Sequence, residues 1–139
     1  MKKKIMVSGG FDPIHVGHVR MIKEAAQWGE VYVVINSDAW LKRKKGYVFM
    51  PWEERAEIIS GIRGVATVCA VDDSDGTVCR ALEAHRPHAF ANGGDRKKNN
   101  TPEMKVCDEL GIQMLWGIGG KDKPQSSSWL VNKAMEQLK

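Results

Sequence analysis
Residues 5–35 read IMVSGGFDPIHVGHVRMIKEAAQWGEVYVVI, and the succession of patterns within them decides the fold. Ile5-Met6-Val7 is a short apolar run stopped by Ser8-Gly9-Gly10, the pattern of a strand entering a turn. Val16, Val19, Ile22 and Ala26 then recur at helical spacing, and Gly29 follows as a stop signal. Val31 to Ile35 is an unbroken, mainly β-branched run, as expected of a strand covered on both faces. Strand, helix and strand in that order make a βαβ unit, which implies parallel strands.

The alternation continues outward. Pro51 opens a helical segment with Ala56, Ile59 and Ile62 on one stripe, closed by Gly64. Val65 to Val71 reads as a third strand, Val78, Ala81, Leu82 and His85 as a helix, and His88 to Ala91 as a short fourth strand. Thr101-Pro102-Glu103 supplies an N-cap, a proline at the first helical position and an acidic first turn for a helix that ends at Leu110 before Gly111. Ile112 to Trp116 reads as a fifth strand, and Ser126 to Ser128 as the cap of a last helix carrying Leu130, Ala134 and Leu138. The expectation is an α/β fold, with residues 1–139 forming one doubly wound domain on a five-stranded parallel sheet. Ligands of such sheets bind beyond the carboxyl ends of the strands, so the residues that follow each strand carry the functional reading.

Composition excludes several classes. Hydrophobic residues make up 42% and charged residues 27% of the 139, which suits a globular chain with a core of its own. No run approaches the roughly 18 apolar residues of a membrane span. Met1-Lys2-Lys3-Lys4 leads into a stretch too short for a signal peptide, so the expected location is cytoplasmic, with no membrane partner. The net charge of +4 favours an anionic ligand, but its cations are not interleaved with aromatics as a nucleic-acid stacking platform would be. No nucleic-acid partner is expected. Cys69, Cys79 and Cys107 form no CxxC pair and lie in apolar segments, the pattern of buried reduced thiols.

The loop after the first strand is the most distinctive segment. Gly9 and Gly10 allow a tight turn and close approach of backbone amides to a ligand, Phe11 and Asp12 follow, and His15-Val16-Gly17-His18 begins a helix. A helix N-terminus attracts phosphate, and two imidazoles there can donate to phosphoryl oxygens as charge builds in a transition state. The plainer alternative is that the histidines cap and pack the helix.

Read together, GGFDPIHVGH resembles the signature of the HIGH-motif nucleotidylyltransferases, whose fold is Rossmann-like. The resemblance runs through Ile35-Asn36-Ser37-Asp38, the basic loop, Glu54-Arg55, Asn92-Gly93-Gly94-Asp95 and Ser126-Ser127-Ser128, all in the expected order. It is nearest to glycerol-3-phosphate cytidylyltransferase and the heptose-1-phosphate adenylyltransferase domain. It implies transfer of a nucleotide monophosphate from an NTP to a phosphorylated small molecule, with Mg²⁺ held mainly by phosphate oxygens and not by a protein cage. Relatives of this kind are commonly dimers, so a homodimer is compatible with it.

The resemblance also assigns roles. His15 and His18 would stabilise the transferring phosphoryl group, and Gly9, Gly10, Phe11, Asp12 and Gly17 would shape the nucleotide site around them. Lys42-Arg43-Lys44-Lys45-Gly46 has no periodicity and is expected to be a mobile basic flap, with Lys42 and Lys45 reaching the triphosphate. Arg55 would contact phosphate through its forked guanidinium. Gly93 and Asp95 would meet the nucleotide, and Ser126, Ser127 and Ser128 would form a second phosphate cradle. Asp38 either positions the acceptor or caps a helix.

The run Gly120-Lys121-Asp122-Lys123-Pro124-Gln125 lacks the arginine that cytidylyltransferases of this type place before the serine triad, and this tilts the nucleotide from CTP towards ATP. A Walker A loop is excluded because Leu115 stands where its first glycine belongs, and a dinucleotide site because the first turn lacks GxGxxG. A nucleotide sensor without turnover remains the alternative from another functional class.

Overall fold
In the computed structural model, which describes residues 3–92 and 101–119, five strands form one parallel sheet. They are β1 (Lys4–Gly9), β2 (Glu30–Ile35), β3 (Val65–Cys69), β4 (Ala89–Ala91) and β5 (Gln113–Leu115), in the order β3-β2-β1-β4-β5. The chain winds one way from β1 to β3 and the other way from β4 to β5. The switch point lies between β1 and β4, the place where open α/β sheets bind their ligands.

Successive side chains on a strand point to opposite faces, and both faces here are apolar. Ile5, Val7, Val31, Val33, Ile35, Ala89 and Ala91 belong to one core, packed under Ile22 and Ala25 of α1 (Val16–Ala25) and Ala56 and Ile59 of α3 (Trp52–Ser60). Met6, Val34 and Phe90 belong to the other, under Ala81 and Leu82 of α4 (Cys79–His85) and Cys107 of α5 (Pro102–Leu110). This two-sided burial explains why β1 and β2 read as unbroken apolar runs. Gly29 makes the entry to β2 possible, because a Cβ there would stand 2.2 Å from the Lys3 carbonyl oxygen.

One element departs from the sequence reading. Of residues 42–46, expected as a basic flap, Lys42 to Lys45 instead form the last turn of a helix, α2 (Asp38–Lys45). Only Leu41 is buried in it, so the helix has no apolar stripe to reveal it. Its ends hold it instead: the Ser37 hydroxyl accepts the Trp40 amide at 3.1 Å, and Asp38 lies in the first turn. Lys42 to Lys45 fill the last turn, where cations suit the helix dipole, and Gly46 closes it at φ 85°.

Among the described residues, no helix is long and apolar enough to cross a membrane. Cys79 and Cys107 are buried and Cys69 half-buried, all as free thiols. The expected last helix, and with it Ser126, Ser127 and Ser128, lies outside the described residues, as do Gly93 and Asp95.

Candidate active site
The two signature histidines cap α1 with their own side chains. His15 Nδ1 accepts the Gly17 amide at 3.1 Å, and His18 Nδ1 accepts the His15 amide at 3.1 Å, a reciprocal capping box. The rings stack with centroids 3.8 Å apart, and the buried Phe11 ring meets His18 edge-on at 4.8 Å. A nitrogen that accepts an amide carries no proton, so each imidazole bears its hydrogen on Nε2. Capping and chemistry therefore coexist here. The cap fixes the tautomer, and the tautomer makes Nε2–H the donor edge of each ring. Gly17 supplies an amide to this cap, so in this structure that amide serves His15.

The loop that leads into α1 is braced from beneath. Phe11 holds φ 51°, a region uncommon for non-glycine residues and concentrated at functional sites. Asp12 is 2% exposed, its carboxylate accepting the Phe49 amide at 2.7 Å and the Met50 amide at 2.6 Å. Lys45 Nζ lies 3.4 Å from that carboxylate and also donates to the Asp12 carbonyl. Gly9 ends β1 and accepts the Asn36 amide at 2.9 Å. A Cβ at Gly10 would meet Leu41 Cδ2 at 2.9 Å, so glycine lets α2 close on this loop.

Arg55 is 1% exposed and binds four acceptors. Its Nε donates to the Met50 carbonyl at 3.0 Å, its Nη1 to the Gly10 and Asn36 carbonyls at 2.7 and 2.8 Å, and its Nη2 to Asp38 at 2.6 Å. Four of the five guanidinium N–H groups thus bind protein. The arginine sits beneath the site, tying the ends of β1 and β2 to the approach to α3. Asp38 is its ion-pair partner, and the cap of α2 belongs to Ser37, not to Asp38. Lys42 is exposed and, among the described residues, has no partner. It stands one turn before Lys45 on the same side of α2.

A cleft of 240 Å³ opens at the carboxyl edge between the two halves of the sheet. Ser8 and Gly9 from β1, Asn36 after β2, Asn92 after β4 and Trp116 after β5 line it, together with Trp40, Gly76, Val78, Phe90, Thr101 and Glu103. Behind it lies Asp73, 3% exposed. Asp73 accepts Asn36 Nδ2 at 3.0 Å, the Ser37 amide at 2.8 Å and the Ser37 hydroxyl at 2.6 Å. Burial pushes this carboxyl up, but the hydrogen bonds from Ser37 and Asn36 outweigh it and hold the group below the usual carboxylate range. Arg43 donates to the Asp73 carbonyl at 2.9 Å, tying α2 to the same loop.

The loop whose paired histidines cap α1 lies within the stretch that the family comparison covers. Residues 6–125 fit the family model described as cytidylyltransferase-like. The chain belongs to the cytidylyltransferase-like family.

Individual relatives are similar over most of this chain. The chain is 31% identical over 125 residues to the bifunctional protein HldE of Geobacter sulfurreducens, covering 86% of this chain and 25% of that protein. It is 30% identical over 115 residues to the FAD synthase of Methanobrevibacter smithii, covering 80% of this chain and 74% of that protein. The chain thus spans about a quarter of the bifunctional relatives. The fold is shared with the lipopolysaccharide core biosynthesis protein of Thermoplasma volcanium, at TM-score 0.70 and 22% identity over 84% of this chain and 94% of that one. It is shared also with the putative nicotinate-nucleotide adenylyltransferase of Vibrio parahaemolyticus, at TM-score 0.59 and 15% identity over 99% of this chain and 89% of that one.

Among the described residues no group of three or more His, Cys, Asp or Glu is placed to hold a metal ion, so a divalent cation would have to arrive on phosphate oxygens. The Asp12 carboxylate is turned onto two amides with a lysine beside it, and both histidine Nδ1 atoms accept amides. Sequence reasoning missed Asp73, Trp40 and Trp116. Asp73 and Trp116 follow β3 and β5 at the carboxyl edge, so position relative to the strands was the signal that could have found them.

Proposed function
We propose that the chain transfers a nucleoside monophosphate from an NTP to the phosphate of a small sugar or polyol phosphate and releases pyrophosphate. The observation that carries this reading is the stacked His15–His18 pair at the carboxyl edge of β1, with both Nδ1 atoms fixed by backbone amides. The Nε2–H edges would donate to the phosphoryl oxygens as negative charge grows on them. Lys42 and Lys45 would bring two ammonium groups to the triphosphate from α2. An acceptor phosphate is already a nucleophile at neutral pH, so its oxygen attacks the α-phosphorus in line and no covalent enzyme intermediate forms. Bound Mg²⁺ would screen the charge on the triphosphate and on the departing pyrophosphate.

Arg55 takes a positioning role in this scheme, holding the signature loop against β2 and α3. Gly93 and Asp95 are assigned to the nucleotide and Ser126, Ser127 and Ser128 to phosphate by their resemblance to the family elements. ATP is the proposed nucleotide, supported by the Asn36-Ser37-Asp38 and Gly93-Gly94-Asp95 elements and by the lack of an arginine just before Ser126.

The test is pyrophosphate release from ATP, CTP, GTP and UTP with Mg²⁺ and a panel of glycerol 3-phosphate, hexose 1-phosphates and heptose 1-phosphate. Release with ATP and a sugar 1-phosphate is the expected result. A CDP-linked product from glycerol 3-phosphate would replace ATP by CTP and leave the chemistry standing. Thermal stabilisation by nucleotides with no release in any combination would make the chain a binding module.

A further inference from the structure
Asn36 is a buried polar residue, 3% exposed, on the wall of the 240 Å³ cleft. Three of its four polar groups are committed. Its amide N–H donates to Gly9, its carbonyl accepts Arg55, and Nδ2 donates to Asp73. Among the described residues nothing donates to Oδ1. A buried acceptor without a donor is costly in a finished structure, and on a residue that lines a cleft a bound ligand can supply the missing donor. The amide cannot turn over to relieve this, because an ionised Asp73 only accepts and so holds Nδ2 towards itself. Asp73 in turn is fixed by Ser37 through both its amide and its hydroxyl.

The surroundings narrow the ligand's chemistry. The cleft is smaller than the roughly 300–1,000 Å³ of pockets for drug-sized ligands. Trp40 and Trp116 give it aromatic walls, while Ser8, Asn92 and Thr101 add further polar side chains. Flat rings beside several hydrogen-bonding groups suit a short carbon skeleton with C–H faces and hydroxyl edges. The cleft lies on the α4–α5 side of the sheet and α1 on the other, and the two sites meet at the end of β1. A phosphate on such a skeleton can therefore approach the signature loop from the cleft.

We infer that Asn36 Oδ1 accepts a hydroxyl of the phosphorylated acceptor, with Asp73 as the positioning residue that fixes the amide, so that the cleft selects polyhydroxylated phosphates. The inference rests on the transferase reading, which makes the cleft's ligand an acceptor. The hydroxyl preference itself is measurable without turnover.

The experiment is calorimetric titration of the full chain with glycerol 3-phosphate, glucose 1-phosphate, ribose 5-phosphate and the hydroxyl-free propyl phosphate, beside a titration with ATP. At least one hydroxylated probe is expected to bind roughly ten-fold tighter than propyl phosphate, because the latter leaves Oδ1 unpaired. In Asn36→Ala that advantage should shrink to about two-fold with ATP affinity kept. In Asp73→Asn it should shrink as well, since an amide partner lets Asn36 reverse. Should the alanine variant fail to fold, the wild-type comparison and Asp73→Asn decide alone.

Equal binding of all four phosphates to the wild type overturns the inference. So does a variant that loses ATP affinity and keeps the hydroxyl preference. Hydroxyl-dependent binding without pyrophosphate release would instead sink the transferase reading and keep the hydroxyl site. Release from propyl phosphate as fast as from its hydroxylated counterparts would do the reverse.

Discussion

Lys45 Nζ stands 3.4 Å from the Asp12 carboxylate, so the last turn of α2 is anchored to the loop that carries the signature histidines. Asp12 is buried, and removing its cation leaves a carboxylate supported, among the described residues, by the Phe49 and Met50 amides alone. Lys42, one turn earlier, has no such tie among the described residues. The two lysines should therefore separate in their effects. Lys42→Ala should lower kcat/KM for the nucleotide with a stability change under about 0.5 kcal/mol. Lys45→Ala should lower kcat/KM and also reduce stability, by about 1 kcal/mol or more. Paired urea titrations and nucleotide kinetics check this, and equal stability loss in both variants would contradict it.

His15 is at once an N-cap and a proposed phosphoryl donor, and the two roles can be pulled apart. His15→Ala should lose about 1 kcal/mol of stability with the cap and about 10²-fold in kcat with the donor. His15→Asn keeps an acceptor for the Gly17 amide, so it should recover the stability and not the rate. Thermal melts and steady-state turnover of the two variants provide the comparison. If His15→Asn turns over like the wild type, the ring serves only as a cap.

The strands were legible because two-sided burial writes itself as unbroken apolar runs, and β1 and β2 are covered on both faces. His15 and His18 could be singled out from their place in GGFDPIHVGH, since both belong to one local turn. By contrast, α2 left no periodic trace: Leu41 is its one buried residue, and its stability comes from Ser37, Gly46 and the dipole. Partners distant in sequence were also illegible. Asp73 reaches Ser37 across 36 residues and Arg55 reaches Gly10 across 45, and neither pairing leaves a local pattern. Arg55 illustrates the limit, because a forked guanidinium suits phosphate and carbonyls alike. Burial decides how its donors are used here.

Arg55 satisfies three backbone carbonyls and Asp38 at once. Truncation would leave those carbonyls facing a hole, each unsatisfied buried group costing about 1–3 kcal/mol. Arg55→Met should therefore destabilise the fold by about 3 kcal/mol or more, visible as a lower urea midpoint. Arg55→Lys should recover little of this, because an ammonium cannot span acceptors on three segments. An unchanged midpoint in either variant would show that the guanidinium is not the brace its contacts describe.

Cys107 offers a test of the α4–α5 face that does not involve the active site. Burial pushes its thiol up to about 11, with Cys79 and Glu103 adding to the effect. An unfolded thiol ionises near 8.5. The folded pKa is raised, so this group's contribution to stability is complete below about pH 8.5 and is lost as pH climbs towards 11. Iodoacetamide at pH 8 should therefore leave Cys107 unmodified in the native chain and label it in urea, as read by peptide mass. The stability gap between the wild type and Cys107→Ala should also narrow across the alkaline window, since alanine has no proton to lose. A gap that stays constant from pH 8 to pH 11 would mean that the thiol ionises as easily in the fold as outside it, against the buried position it holds beneath α4.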